Sequence, residues 1–310
     1  MLKCNKTNLI LIIVLILCSL LEINIITTFA QNAPLDTTRI ITVTVKEKKN
    51  RPIPQLDASD FQVSQDGILV EVKSVIPSRN APLNLAIVIQ EGLPQVNLEL
   101  DTIKQFITKL PDGSKVMVAY TKDGFVDIHQ VFTSDLDKVA NKLRLIDPFS
   151  NYYSNPYLDL KAFLPYFSPV EKERNEILFI SDGFDPFTGT FSSVSSNLYL
   201  AEVIKKVQKK NIPIFSLFTT SSRVKDFFAS NSGINSLIYL SEQTGGKAFS
   251  LNSGYVTFNA SLKEFAQLLD QQYVISYITK GIDKKYHRVK VTTDYSNLMV
   301  HGAKEFRFYE

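Results

Sequence analysis

Carboxylates held at the ends of apolar runs are the residues of this chain best placed for chemistry. Asp182 directly follows the run Ile177-Leu178-Phe179-Ile180-Ser181, with Gly183 behind it and Asp185 three residues on. A second apolar run, residues 83–89, ends in Gln90-Glu91-Gly92-Leu93-Pro94. Such oxygen donors suit hard divalent cations, Mg or Ca, which take several oxygen ligands with net negative charge. Glu91, Asp182 and Asp185 are the carboxylates available for a weak site of that kind. The plainer role for Asp182 is to accept backbone N–H groups in the turn that follows its strand. The chemistry of other classes lacks its residues. His129, His287 and His301 stand far apart, outside any metal-ligand spacing. No Gly-x-Ser-x-Gly elbow, phosphate loop or dinucleotide fingerprint occurs.

The elements that position these residues follow from hydrophobic pattern. Continuous apolar runs bounded by polar residues read as strands buried on both faces. From residue 83 onward such runs alternate with helical periodicity, which predicts a doubly wound, mostly parallel α/β sheet. Helices are expected at 96–110, 135–146, 157–167, 195–210, 236–243 and 258–269. Strands are expected at 115–120, 125–132 (an antiparallel edge), 212–218 and 247–251. In such sheets ligands bind beyond the carboxyl ends of the strands, where strand order reverses. Upstream, residues 40–46 alternate as a half-buried strand, and Asp66-Gly67 marks a hairpin between 60–64 and 69–75. Strand-like runs at 273–279, 287–293 and 304–309 close the chain. They are expected to pack on the N-terminal strands, since neither piece alone makes a sufficient core.

The two strand ends carry a family resemblance. The chain resembles the von Willebrand factor A domains, in particular the "VWFA-related" group of bacterial exported proteins. In that family the first strand ends in Asp-x-Ser-x-Ser, which joins a distant Thr and a later Asp in a metal-ion-dependent adhesion site. Here Gln90 stands for the Asp, Gly92 and Pro94 for the serines, and Asp182 matches the later Asp. The Thr falls near 149–154, where Asn151-Tyr152-Tyr153 offers no equivalent. The resemblance extends to residues 40–75, 240–249, 272–277 and 302–309. It implies a Rossmann-like fold with a small β module, a binding role without catalysis, and a metal site largely lost, hence no cofactor. The implied ligand-binding face comprises Gln90, Glu91, Gly92, Pro94, Asn151, Tyr152, Asp182, Phe184 and Asp185. Its expected ligand is a protein or peptide. Weak cation-dependent binding, a structural role in an envelope complex, and a secreted hydrolase remain the alternatives.

The N-terminus reads as a secretory signal: Lys3 and Lys6, the apolar residues 9–21, then Thr28-Phe29-Ala30, with cleavage before Gln31. An uncleaved anchor is the alternative. The expected division is signal 1–30, β module and linker 31–82, A-type domain 83–271 and β-rich extension 272–310. Cleavage places the mature chain in the periplasm or outside the cell, without membrane insertion. Both cysteines, Cys4 and Cys18, leave with the signal, so no disulfide or thiol nucleophile remains. Loss of two lysines and one glutamate changes the formal charge from +3 to +2. That balance excludes the basic face that nucleic acid requires. Aromatic residues crowd the loops: Tyr152, Tyr153, Tyr157, Phe163, Tyr166 and Phe167, then Phe184, Phe187 and Phe191, then Phe227 and Phe228. Phe163 and Phe167 at helical spacing read as core. Phe184 and Phe187, in a polar loop, read as recognition surface.

Overall fold

A computed structural model describes residues 37–49, 53–149, 154–170, 172–188, 194–221, 224, 226–250, 257–279, 286–303 and 306–307. The expected signal segment, Asn151, Tyr152, Tyr153 and Phe191 lie outside the described residues.

The chain begins with β1 (Thr37–Glu47), β2 (Phe61–Gln65), β3 (Ile68–Val70) and β4 (Val72–Pro77). β5 (Leu83–Gln90), α1 (Pro94–Leu98), α2 (Leu100–Thr108), β6 (Lys115–Lys122), β7 (Phe125–Thr133) and α3 (Leu136–Lys142) follow. Next come α4 (Pro156–Phe163), β8 (Arg174–Ser181), α5 (Leu198–Lys210), β9 (Ile214–Phe218), α6 (Phe227–Thr244), β10 (Ala248–Ser250) and α7 (Phe258–Asp270). The tail holds β11 (Gln272–Thr279), β12 (Tyr286–His287), β13 (Val289–Thr293), β14 (Leu298–His301) and β15 (Phe306–Arg307).

Every residue of β5 and of β8 is buried, as their near-continuous apolar runs require of strands covered on both faces. They pair in parallel from Leu83↔Arg174 to Ile89↔Ile180 at the centre of a six-stranded sheet ordered β10-β9-β8-β5-β6-β7. All its pairs are parallel except β6 with the edge strand β7. Leu85, Ile87 and Ile89 face α2, α3 and α7, whereas Ala86, Val88 and Phe179 face α4, α5 and α6. Phe265 of α7 anchors the first layer against Phe215 (4.6 Å between ring centroids), Phe106 and Phe249. Burying such a side chain contributes roughly 2–3 kcal/mol. The helix after β5 thus covers one face and the helix after β8 the other. This reversal puts the carboxyl ends of β5 and β8 beside each other at a switch point.

The tail returns to the N-terminal strands. β1 lies between β11 and β14, antiparallel to both, and β4 pairs on the far side of β11. β2 joins β3 and β13 in a second small sheet. Ile41, Val43, Phe61, Val63, Ile275 and Tyr277 form their shared core. Asp66 and Gly67 both take positive φ (51° and 83°), the backbone that an Asp-Gly hairpin turn demands.

Several elements depart from the sequence expectation. The strand expected at 69–75 splits at Glu71, because β3 pairs with β2 while β4 pairs with β11. The helix expected at 96–110 is two, broken at Glu99, and Asn97 of α1 exchanges hydrogen bonds with the Ile146 backbone. α4 stops at Phe163 and continues as a 3-10 turn over Leu164–Tyr166, since Pro165 cannot donate within a helix. α3 ends at Lys142, leaving 143–147 outside helix and strand. α5 starts at Leu198, where Asn197 caps it through Leu200 N. α6 starts nine residues before the expected 236, capped by Asp226.

Candidate functional site

The switch point brings the sequence-predicted Gln90 and Asp182 together with Ser181 in one hydrogen-bonded unit. Gln90, at the end of β5, is fully buried, as are Ser181 and Asp182 at the end of β8. Ser181 Oγ donates to Gln90 Oε1 at 2.5 Å, and Asp182 N donates to the same oxygen at 3.2 Å. The amide's other end, Gln90 Nε2, donates to Asp182 Oδ1 at 3.3 Å. Asp182 Oδ1 also accepts Phe184 N at 3.1 Å, and Ser181 Oγ accepts Gly183 N at 2.9 Å. A neutral amide suits this arrangement because it both donates and accepts. A carboxylate at position 90 would face Asp182 with no proton between them.

The turn after Asp182 is held from the helix side. Gly183 has φ +63°, and a Cβ there would lie 2.4 Å from Gly233 O and 2.6 Å from Leu237 Cγ. Reciprocally, a Cβ on Gly233 of α6 would lie 2.1 Å from Asp182 O. Two glycines therefore let α6 press against the strand end. Tyr157 of α4 donates its hydroxyl to Gly183 O at 2.7 Å. Burial pushes this phenol's pKa up, so it stays a donor.

Asp185 belongs to a second unit. Its Oδ1 accepts Phe187 N at 2.8 Å, and its Oδ2 accepts Thr188 Oγ1 at 2.6 Å and Asn197 Nδ2 at 2.9 Å. Glu91 belongs to a third. Arg144, in the segment after α3, meets Glu91 at 2.7 Å and Asp127 at 3.2 Å, with its guanidinium carbon 4.0 Å from the Tyr120 ring centre. Gly92 takes φ +80° and Pro94 opens α1 as its first residue, where its missing N–H costs nothing. The three carboxylates Glu91, Asp182 and Asp185 are thus engaged in separate networks. Among the described residues no cluster of three or more His, Cys, Asp or Glu could hold a metal ion.

The sequence reading names Tyr157 only among the loop aromatics, and Arg144, Asn197 and Gly233 escape it. Each lies 20 or more residues from its network's strand end or in a segment of ordinary helical pattern, so no local signal marks it. Replacing Arg144 by alanine leaves the buried Glu91 without its cation, and a loss of about 1–2 kcal/mol is expected. Urea unfolding measures it. An Arg144→Ala variant as stable as the parent would show that solvent replaces the pair.

Around this polar centre the aromatics divide. Tyr157, Phe163 and Phe167 are buried in the second core layer. Tyr166 is exposed, Phe184 is half-buried, and Phe187, Phe227 and Phe228 are 61%, 74% and 58% exposed. Phe187 tilts against Tyr199 at 6.2 Å, and Phe227 meets Phe228 edge-on at 5.8 Å.

No family model matches the chain, and no curated protein does. Among solved structures it is similar to an aerotolerance-related membrane protein from Bacteroides fragilis NCTC 9343, at 14% identity and a TM-score of 0.41, over 61% of this chain and 98% of that one. It is similar to a von Willebrand factor type A protein from Catenulispora acidiphila (10%, TM-score 0.45, 90% and 75%). A third is the vWF domain of the type V pili tip protein Mfa5 from Porphyromonas gingivalis (11%, TM-score 0.44, 60% and 94%). The structural neighbours of this chain thus include von Willebrand factor type A domain proteins.

Proposed function

We propose that this chain is an exported binding module of the von Willebrand factor A type, whose switch-point face recognises a protein or peptide without a resident cation. One observation carries the reading: Gln90, Ser181 and Asp182 satisfy one another where the family's ligands would satisfy a metal. The donor set does not fit a hard cation, because the first loop offers an amide, a glycine and a proline, and Glu91 and Asp185 are held elsewhere. The shape that a cation fixes in the family is here fixed by hydrogen bonds and by the Gly183–Gly233 contact. The proposed face comprises Gln90, Glu91, Gly92, Pro94, Asn151, Tyr152, Asp182, Phe184 and Asp185, flanked by the exposed Phe187. Exposed aromatic rings beside a rigid polar centre favour protein recognition over catalysis. In this reading residues 83–271 form the binding unit, 31–82 and 272–310 its β module, and export follows cleavage before Gln31. No helix among the described residues is long and apolar enough to cross a membrane.

Titration calorimetry with Mg, Ca and Mn, beside thermal melts with and without chelator, tests the cation-free site. No binding heat and an unchanged melting temperature are expected. Asp182→Asn is expected to stay within about 1 kcal/mol of the parent, since its Oδ1 still accepts Phe184 N. Tight cation binding abolished by Asp182→Ala would overturn the reading in favour of a remodelled metal site. Co-purification from native envelopes, with Phe187→Ser as the weakened variant, tests the partner.

A further inference from the structure

Arg174 opens β8 at the end of the sheet opposite the switch point. Its side chain is 2% exposed, and a guanidinium taken from water needs compensation in full. Nε donates to Ala81 O at 3.0 Å, and Nη1 donates to Leu269 O at 2.7 Å and Gln272 Oε1 at 3.2 Å. All three acceptors are uncharged. No carboxylate of the described residues lies within ion-pair distance of Arg174, and its three hydrogen bonds leave Nη2 unused. The carboxyl groups that favour its charge are Glu176 and Asp270. Burial pushes Glu176 up to about 7, against the opposing pull of Arg174.

Arg174 also lines a cavity of about 510 Å³ between the base of the sheet and the β module, a volume typical of small-molecule sites. Arg79 and Arg174 bring two positive charges to its wall, and Asp112 and Asp270 bring two negative ones. Asn80 and Ser114 are among its other lining residues. A dianion such as phosphate would meet both aspartates unfavourably, and an apolar ligand would leave Arg174 as it is. A molecule with one carboxylate and one ammonium group answers both signs of charge.

We propose that this cavity binds a small zwitterion with the chemistry of a free α-amino acid, its carboxylate on Arg174 Nη2 and its ammonium toward Asp112 or Asp270. Walls drawn from both the sheet and the linker at Ala81 mean that an occupant would also brace the β module against the main sheet.

Saturation-transfer NMR on the mature chain with a pool of the free proteinogenic amino acids tests the site. Transfer to at least one member is expected at millimolar concentration. Acetate and ethylamine, each carrying one of the two charges, are expected not to displace it at equal concentration. Arg174→Gln should weaken binding at least about tenfold, the scale of a lost charge-assisted hydrogen bond. Because that variant disturbs a buried position, Asn80→Trp is the companion. Asn80 is exposed, so the fold should melt as the parent does while the indole fills the cavity and abolishes transfer. Absence of transfer to every member overturns the proposal. So does transfer unchanged in both variants, or displacement by phosphate or acetate alone.

Discussion

Gly233→Ala should lower the melting temperature by roughly ten degrees, although alanine normally improves a helix. In an exposed helix interior the exchange gains about 1 kcal/mol. Here the added methyl would lie 2.1 Å from Asp182 O and 3.2 Å from Phe184 N, both of them backbone atoms that cannot rotate away. α6 or the end of β8 must move, and overpacking of this kind costs about 3 kcal/mol or more. At this chain length that corresponds to a shift on the order of ten degrees. The displaced strand end carries the Gln90–Ser181–Asp182 unit, so partner binding should fall with stability. Gly67→Ala is the control. It has the same left-handed backbone problem as other turn glycines but no atom within 4 Å of the new methyl, so only about 1–2 kcal/mol is expected. Equal melting temperatures for the two alanine variants would show that α6 does not press on the strand end.

Stability should fall as pH rises from about 4.5 to 7, and Glu176 is the cause. This side chain is fully buried in β8, and neither carboxyl oxygen has a hydrogen-bond partner among the described residues. Burial raises its pKa to about 7, against the opposing influence of Arg174 and Gln272. A carboxyl raised in the folded state binds its proton there when the unfolded chain has already released it. Its contribution is therefore fully present below the unfolded pKa and lost as pH passes through the folded one. The full span is about 3 kcal/mol at most. Glu176→Gln keeps the shape and removes the titration. The variant should flatten the profile between pH 5 and 7 and exceed the parent in stability above pH 7. Urea unfolding at pH 5 and pH 8 measures both. A variant whose stability tracks the parent across this interval would mean that water or a cation already solvates the carboxylate.

The positions of the two central strands and their polar ends were legible in the residues alone. Runs such as 83–89 and 177–181 have no exposed face to offer, so they had to lie inside a covered parallel sheet. Their turn-rich endings therefore had to meet at one edge. The replacement of Asp by Gln90 and of two serines by Gly92 and Pro94 was equally visible, because ligand chemistry is a property of residue type. Tertiary packing decided the rest. Nothing near Glu91 in sequence announces Arg144, which follows the early end of α3 and pairs with it across the fold. Nothing in Ser230-Asn231-Ser232-Gly233 reads as the helix that clamps Asp182, since local propensity there favours a loop and only the fit against Gly183 makes helix the better state. Nothing in the residues around Arg174 announces that the end of α7 and the start of β11 cover it. Periodicity reports which faces are covered, whereas the identity of the covering group depends on segments distant in sequence.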